Sequence, residues 1–131
     1  YVIADTAGRD SRELRTGMTV ADVLISPARP SQYDLDTLPH LAEVYSQAKD
    51  LNPKLAGYLV LNLCPTNPVI KEVAAAQEFL ADYPEFKLAN TLVYDRKAYR
   101  DAISEGKSVL EWTDAKAKHE IEALVGEIIN G

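Results

Sequence analysis

Tyr1-Val2-Ile3-Ala4-Asp5-Thr6-Ala7-Gly8-Arg9-Asp10 opens the chain, and the reading of its first five residues decides the fold. Four apolar residues run unbroken into a carboxylate. A strand with one wet face alternates apolar and polar side chains, whereas a strand covered by helices on both faces is apolar throughout and sits in the middle of a parallel sheet. The run therefore predicts an interior strand. An interior strand at residue 1 needs neighbours, so the chain reads as the C-terminal part of a longer α/β protein. The alternative is a small domain with a short first strand at its edge.

Outward from that segment, strands and helices alternate. Arg12 to Thr19 predicts a short helix, and Ala21 to Ser26 a second strand closed by Pro27. Ser31 and Asp34 have the spacing of a capping box. Leu35, Leu38, Leu41, Ala42, Tyr45 and Ala48 then lay one apolar stripe along a helix that stops near Asn52-Pro53. Leu55 to Leu63, with Tyr58-Leu59-Val60-Leu61 at its centre, predicts a third, buried strand. Asn67-Pro68 reads as an N-cap with proline at the first helical position, starting a helix through about Ala81. Leu88 to Val93 predicts a fourth strand. Lys97 to Glu105 predicts a helix closed by a left-handed Gly106, and Asp114 caps a last helix carrying Ile121, Leu124, Val125 and Ile128. This order predicts a single α/β domain over residues 1–131, with a mostly parallel sheet and helices on both faces.

Composition narrows the function classes. The 131 residues are 47% apolar and 26% charged, with a net charge of −6. A chain of this length buries roughly two-thirds of its unfolded surface, enough for a core without disulfides or structural metal. Cys64 is the one cysteine, so neither an internal disulfide nor a cysteine-built metal or iron–sulfur site can form. No apolar run approaches the roughly 20 residues of a membrane span. A reducing cytoplasm is the expected compartment.

In open α/β sheets ligands bind outside the carboxyl ends of the strands. That rule selects Asp5, Pro27, Asn62 and Tyr94. Asp5 ends the opening run, where a carboxylate can hold Mg²⁺, and Gly8 lets a backbone amide approach a terminal phosphate without a side chain in the way. The same residues also suit a plain turn out of a strand. The Asn62 amide can both donate to and accept from a base edge, or simply form the turn before Pro65. Tyr94-Asp95-Arg96 follows the predicted fourth strand.

Tyr1 to Asp10 resembles the Walker-B region of ParA-type DNA partition ATPases, a deviant-Walker branch of the P-loop NTPases. Val23-Leu24-Ile25-Ser26-Pro27 with Pro30-Ser31 and Asp34-Leu35 is similar to that family's strand, proline loop and helix start. Ala98 to Glu111, with Ala102, Gly106, Ser108-Val109 and Glu111, resembles its stretch near the C-terminus. Ala117 to Ile129 resembles its acidic closing helix, and the flavour is that of the small plasmid ParF-like subgroup. The resemblance implies ATP and Mg²⁺ as cofactors. Asp5 would serve the metal and the attacking water, Gly8 would sense the γ-phosphate, and Asn62 and Tyr94-Asp95-Arg96 would lie on the adenine side. It also implies a homodimer when ATP is bound, a ParB-like centromere-binding partner, non-specific DNA binding and association with the nucleoid. The glycine-rich Walker-A loop does not occur in residues 1–131, so this chain alone is expected not to hydrolyse ATP.

Arg96, Lys97, Arg100 and Lys107 are the candidate DNA cations, although Asp95, Asp101 and Glu105 lie among them. Asn62-Leu63-Cys64-Pro65 does not supply the lysine and aspartate of a guanine-binding motif, which favours adenine. His119 to Gly131 carries three glutamates and no lysine or arginine, so an anionic bilayer would repel it. Two other readings stand beside DNA segregation. One is a non-catalytic α/β interaction module, and the other a related deviant-Walker ATPase that positions a conjugation or cell-division cargo.

Overall fold

The computed structural model describes residues 1–131, the side chain of Tyr33 excepted. Three parallel strands, β1 (Val23–Ala28), β2 (Ala56–Leu61) and β3 (Lys87–Leu88), form a sheet in the order β1-β2-β3. The helices are α1 (Arg12–Met18), α2 (Gln32–Leu35), α3 (Leu38–Leu51), α4 (Glu72–Leu80), α5 (Lys97–Ser104) and α6 (Ala115–Asn130), with a 3₁₀ turn at Val109–Glu111. The fold is α/β with a parallel sheet, as the alternating pattern requires.

The side chains of β2 divide the core. Leu59 and Leu61 point to one face, where they join Met18 of α1, Val44, Tyr45 and Ala48 of α3, and Ala76 and Leu80 of α4. Val60 points to the other face and packs with Ala89 and Val93 against Tyr99 of α5 and Leu124 of α6. β2 is therefore the strand buried on both sides, which explains its continuous apolar sequence. Gly57 is required here. A Cβ at that position would stand 2.8 Å from the Phe86 ring and 2.9 Å from the Tyr45 ring, and these two rings pack with centroids 4.6 Å apart.

The opening segment corrects the first expectation. Residues 1–4 form no strand, and Val2 is 98% exposed. The reason lies in the edge of the sheet. The Ala56 and Asn62 amides donate to the Asp22 and Ala28 carbonyls, so the even positions of β1 face β2 and the odd ones face outward. Of the outward positions Val23, Ile25 and Pro27, proline has no N–H, which leaves a poor template for a further strand. Pro27 consequently lies inside β1, instead of ending it. Ile25 remains 48% exposed beside that free edge.

Other boundaries moved for local reasons. The long helix expected after Ser31 is broken into α2 and α3, because Pro39 has no N–H to continue the helical ladder. The Ser31 hydroxyl makes no cap bond, and the Asp34 carboxylate accepts from the Arg29 amide at 2.9 Å instead. Asn67 closes a turn through the Val69 and Ile70 amides, and α4 begins five residues later, at Glu72. The fourth predicted strand shrinks to β3 plus a returning residue. Ala89 donates to the Leu59 carbonyl and Val93 to that of Leu61, but the Asn90 and Thr91 amides between them are taken by the Glu127 carboxylate of α6, at 2.6 and 3.0 Å. Gly106 does adopt the left-handed conformation (φ 67°), and Asp114 caps α6 through the Lys116 and Ala117 amides.

Candidate functional site at the carboxyl ends of the strands

Three chain exits meet at one rim of the sheet. The Asn62 amide ties the exit of β2 to Ala28 at the end of β1. Cys64 then donates to the Val93 carbonyl at 3.0 Å, and Asp95 donates back to the Cys64 carbonyl at 2.8 Å, forming a parallel bridge between Cys64 and Tyr94. Asn62 and Tyr94-Asp95-Arg96, separated by more than 30 positions in sequence, therefore belong to one laced pair of loops. Between Asn62 and Cys64, Leu63 holds φ 53°. A branched side chain in that region costs about 1–2 kcal/mol, so the surrounding bonds hold the exit loop in a strained form.

Beneath this rim lies an ion pair that sequence reading missed. The Glu120 carboxylate of α6 accepts from Arg96 Nε at 2.6 Å and lies 2.6 Å from its Nη2, and its other oxygen accepts from the Tyr99 hydroxyl at 2.8 Å. The Glu120 side chain is only 10% exposed and that of Arg96 21%. The guanidinium also covers the Tyr94 ring, 5.1 Å from its centroid. The signal for Glu120 was present in the periodicity. It stands three residues after Ala117 and four before Leu124, on the apolar stripe of α6, where an unpaired carboxylate would be costly. Burial and the bond to Glu120 push the Tyr99 hydroxyl well above its ordinary range, so it remains a donor. Burial, and then the charge of Glu120, raises the Cys64 thiol to about 11, which leaves it un-ionised and non-nucleophilic near neutral pH.

The structure does not bring the other candidates together with these loops, Arg100 excepted. Asp5 and Gly8 lie on the exposed opening segment, away from the laced loops in hydrogen bonding. The end of that segment is anchored, because Asp10 accepts from Arg15 through two nitrogens, each at 2.7 Å, and lies 2.9 Å from His40 Nε2 in the first turn of α3. Bonding to Arg15, then to His40, holds the Asp10 carboxyl well below the usual carboxylate range. These bonds tie Asp10, the end of the opening segment, to α1 and to the first turn of α3. Among the basic residues, Arg96 is turned inward to Glu120, which removes its guanidinium from the open surface. Arg100 pairs with Asp95 at 2.7 Å, Lys97 with Asp101 at 3.5 Å, and Lys107 is exposed.

Among the described residues, no group of three His, Cys, Asp or Glu side chains is arranged to hold a metal, and no helix is long and apolar enough to cross a membrane. Mg²⁺ does not need such a cage, since it keeps several waters and commonly takes one or two carboxylates plus phosphate oxygens. Asp5 is suited to that role by donor type.

No family profile matches the chain. It is similar to the maintenance of carboxysome distribution protein A of Halothiobacillus neapolitanus (strain ATCC 23641 / c2), with 30% identity over 115 residues. The matched region takes in 86% of this chain and 51% of that protein, so the chain spans about half the length of the curated relative it matches. The chain is a distant relative of a protein named for maintaining the distribution of carboxysomes.

Proposed function

We propose that the chain is the C-terminal part of a ParA-like ATPase that positions a cargo by ATP-dependent dimerisation and non-specific DNA binding. The observation that carries this reading is the likeness, over most of the chain, to a protein whose name is about distributing a cellular body. It suits the parallel sheet and its rim of converging strand ends. Plasmid or chromosomal DNA is one cargo, and a large cytoplasmic assembly is the other.

In this reading the Asn62 amide and the Tyr94–Arg96 loop contact adenine. Asp5 holds Mg²⁺ and orients the attacking water, and the Gly8 amide approaches the γ-phosphate. Bound Mg²⁺ would supply charge neutralisation at the phosphates. The phosphate grip of a glycine-rich loop is not among residues 1–131, so this chain by itself is inactive. Lys97, Arg100 and Lys107 are the surface cations offered to DNA phosphates, and a dimer doubles such a weak patch. A ParB-like partner stimulates turnover, and the working compartment is the cytoplasm, on the nucleoid.

The test is retention of the full protein on non-specific DNA with and without Mg-ATP, across a salt series. Binding that requires ATP and falls with salt, with a log–log slope near 0.9 per phosphate contact, supports the reading. ATP hydrolysis with no DNA retention at low salt would remove the DNA-based positioning role.

A further inference from the structure

The Arg96–Glu120 pair is a poor device for stability and a good one for geometry. Two charges taken from water recover their desolvation cost only when well bonded, and apolar side chains of similar volume often stabilise as well or better. In some systems such a pair instead fixes a single arrangement. Here both oxygens of Glu120 are occupied, one by the guanidinium and one by the Tyr99 hydroxyl. The guanidinium in turn backs the Tyr94 ring, and the Tyr94 segment is laced to Asn62-Leu63-Cys64 through the Cys64 and Asp95 amides. A carboxylate on α6 therefore fixes, through one intermediate side chain, the loop pair at the carboxyl ends of β2 and β3.

We infer that Glu120 is a positioning residue for purine recognition, holding Tyr94-Asp95 and Asn62 as a preformed wall against which the base of a nucleoside triphosphate is selected. The inference rests on the proposed nucleotide function of this rim. It concerns the base side alone, since the contacts of Glu120 and Arg96 run to Tyr99 and to the Tyr94 ring.

Base and phosphate contributions separate with two probes, Mg-ATP and Mg-tripolyphosphate, the latter carrying a similar charged chain with no base. Binding of each is measured by calorimetry on the full protein, for wild type, Glu120→Gln and the apolar double variant R96M/E120L. The double variant keeps the fold independent of the pair, so a lost wall is not mistaken for a lost protein. Both variants are expected to bind ATP about tenfold more weakly, a loss of the size that one misplaced recognition group gives, with tripolyphosphate affinity within twofold of wild type. Amide hydrogen exchange at Asp95 and Cys64, read without nucleotide, should quicken in both. Equal losses for ATP and tripolyphosphate, or unchanged ATP affinity in a folded double variant, would overturn the positioning role while leaving the nucleotide function intact. Wild-type protein that binds tripolyphosphate and ATP equally well would show that no base wall exists, and wild type that binds neither would remove the nucleotide function itself.

Discussion

Replacing Arg96 by alanine tests whether this cation belongs to the core or to the surface. The change deletes the guanidinium that donates to Glu120 and leaves a carboxylate that is 10% exposed without its cation. Breaking a buried pair by removing one partner costs about 3–5 kcal/mol. Two features reduce that figure here: Tyr99 still donates to Glu120, and the Arg96 side chain is 21% exposed, so water can reach the vacated space. A loss of about 2–4 kcal/mol is expected, or a fall of roughly 6–15 °C in Tm for a domain of this size. Arg100→Ala is the internal comparison. Its pair with Asp95 is open to solvent, with side chains 65% and 52% exposed, and its removal should cost no more than about 1 kcal/mol. Urea unfolding followed by the fluorescence of Trp112, which packs on the neighbouring cluster of Ala98, Ala102, Val109 and Ala117, reports both variants. Equal stability of R96A and R100A would refute the core assignment of Arg96, as would an R96A/E120A double variant no more stable than additivity predicts.

Two further outcomes follow from the packing. Gly57→Ala places a methyl 2.8–2.9 Å from two aromatic rings; overpacking of about 1–3 kcal/mol exceeds the roughly 0.4–1 kcal/mol gained from a stiffer unfolded chain, so the urea midpoint should fall, and an unchanged midpoint would mean the rings yield freely. Glu127 is pushed up by its burial, but bonds from Asn90 and Thr91 outweigh that and leave its carboxyl below its ordinary 4.5. A depressed carboxyl stabilises the fold above its unfolded value and loses that contribution as pH falls. The stability gap between wild type and Glu127→Ala should therefore be full at pH 7 and shrink as pH drops below about 4.5; a gap independent of pH between 7 and 3 would contradict this.

Periodicity revealed the helices that pack and the strand that is buried on both sides. α3 and β2 show their faces in the spacing of Leu38, Tyr45 and Ala48 and in the unbroken run Tyr58–Leu61, and α6 in that of Ile121 and Leu124, although Val125 of the same predicted stripe is 47% exposed. It failed where a residue's partner lay far away in the chain. Tyr1–Ala4 has a strand's composition, yet strand formation depends on the neighbouring edge, and Pro27 impairs that edge. Leu88–Val93 has a strand's composition too, but Glu127 takes the amides that would have continued the ladder.

At the site, the strand-end rule selected Asp5, Pro27, Asn62 and Tyr94, of which Asn62 and Tyr94 lie on the laced loops, while Pro27 stands inside β1 and Asp5 on the exposed opening segment. The resemblance placed Arg96 both on the adenine side and among the DNA cations, since a guanidinium in a charged stretch looks the same whether it faces water or a carboxylate. The sequence by itself determined the alternation of elements, and with it a parallel sheet, because hydrophobic period is a local property. Only the tertiary structure decided which charges are buried together. Ion pairing is a matter of distance in space, and the sequence separation of 24 between Arg96 and Glu120 carries no record of it.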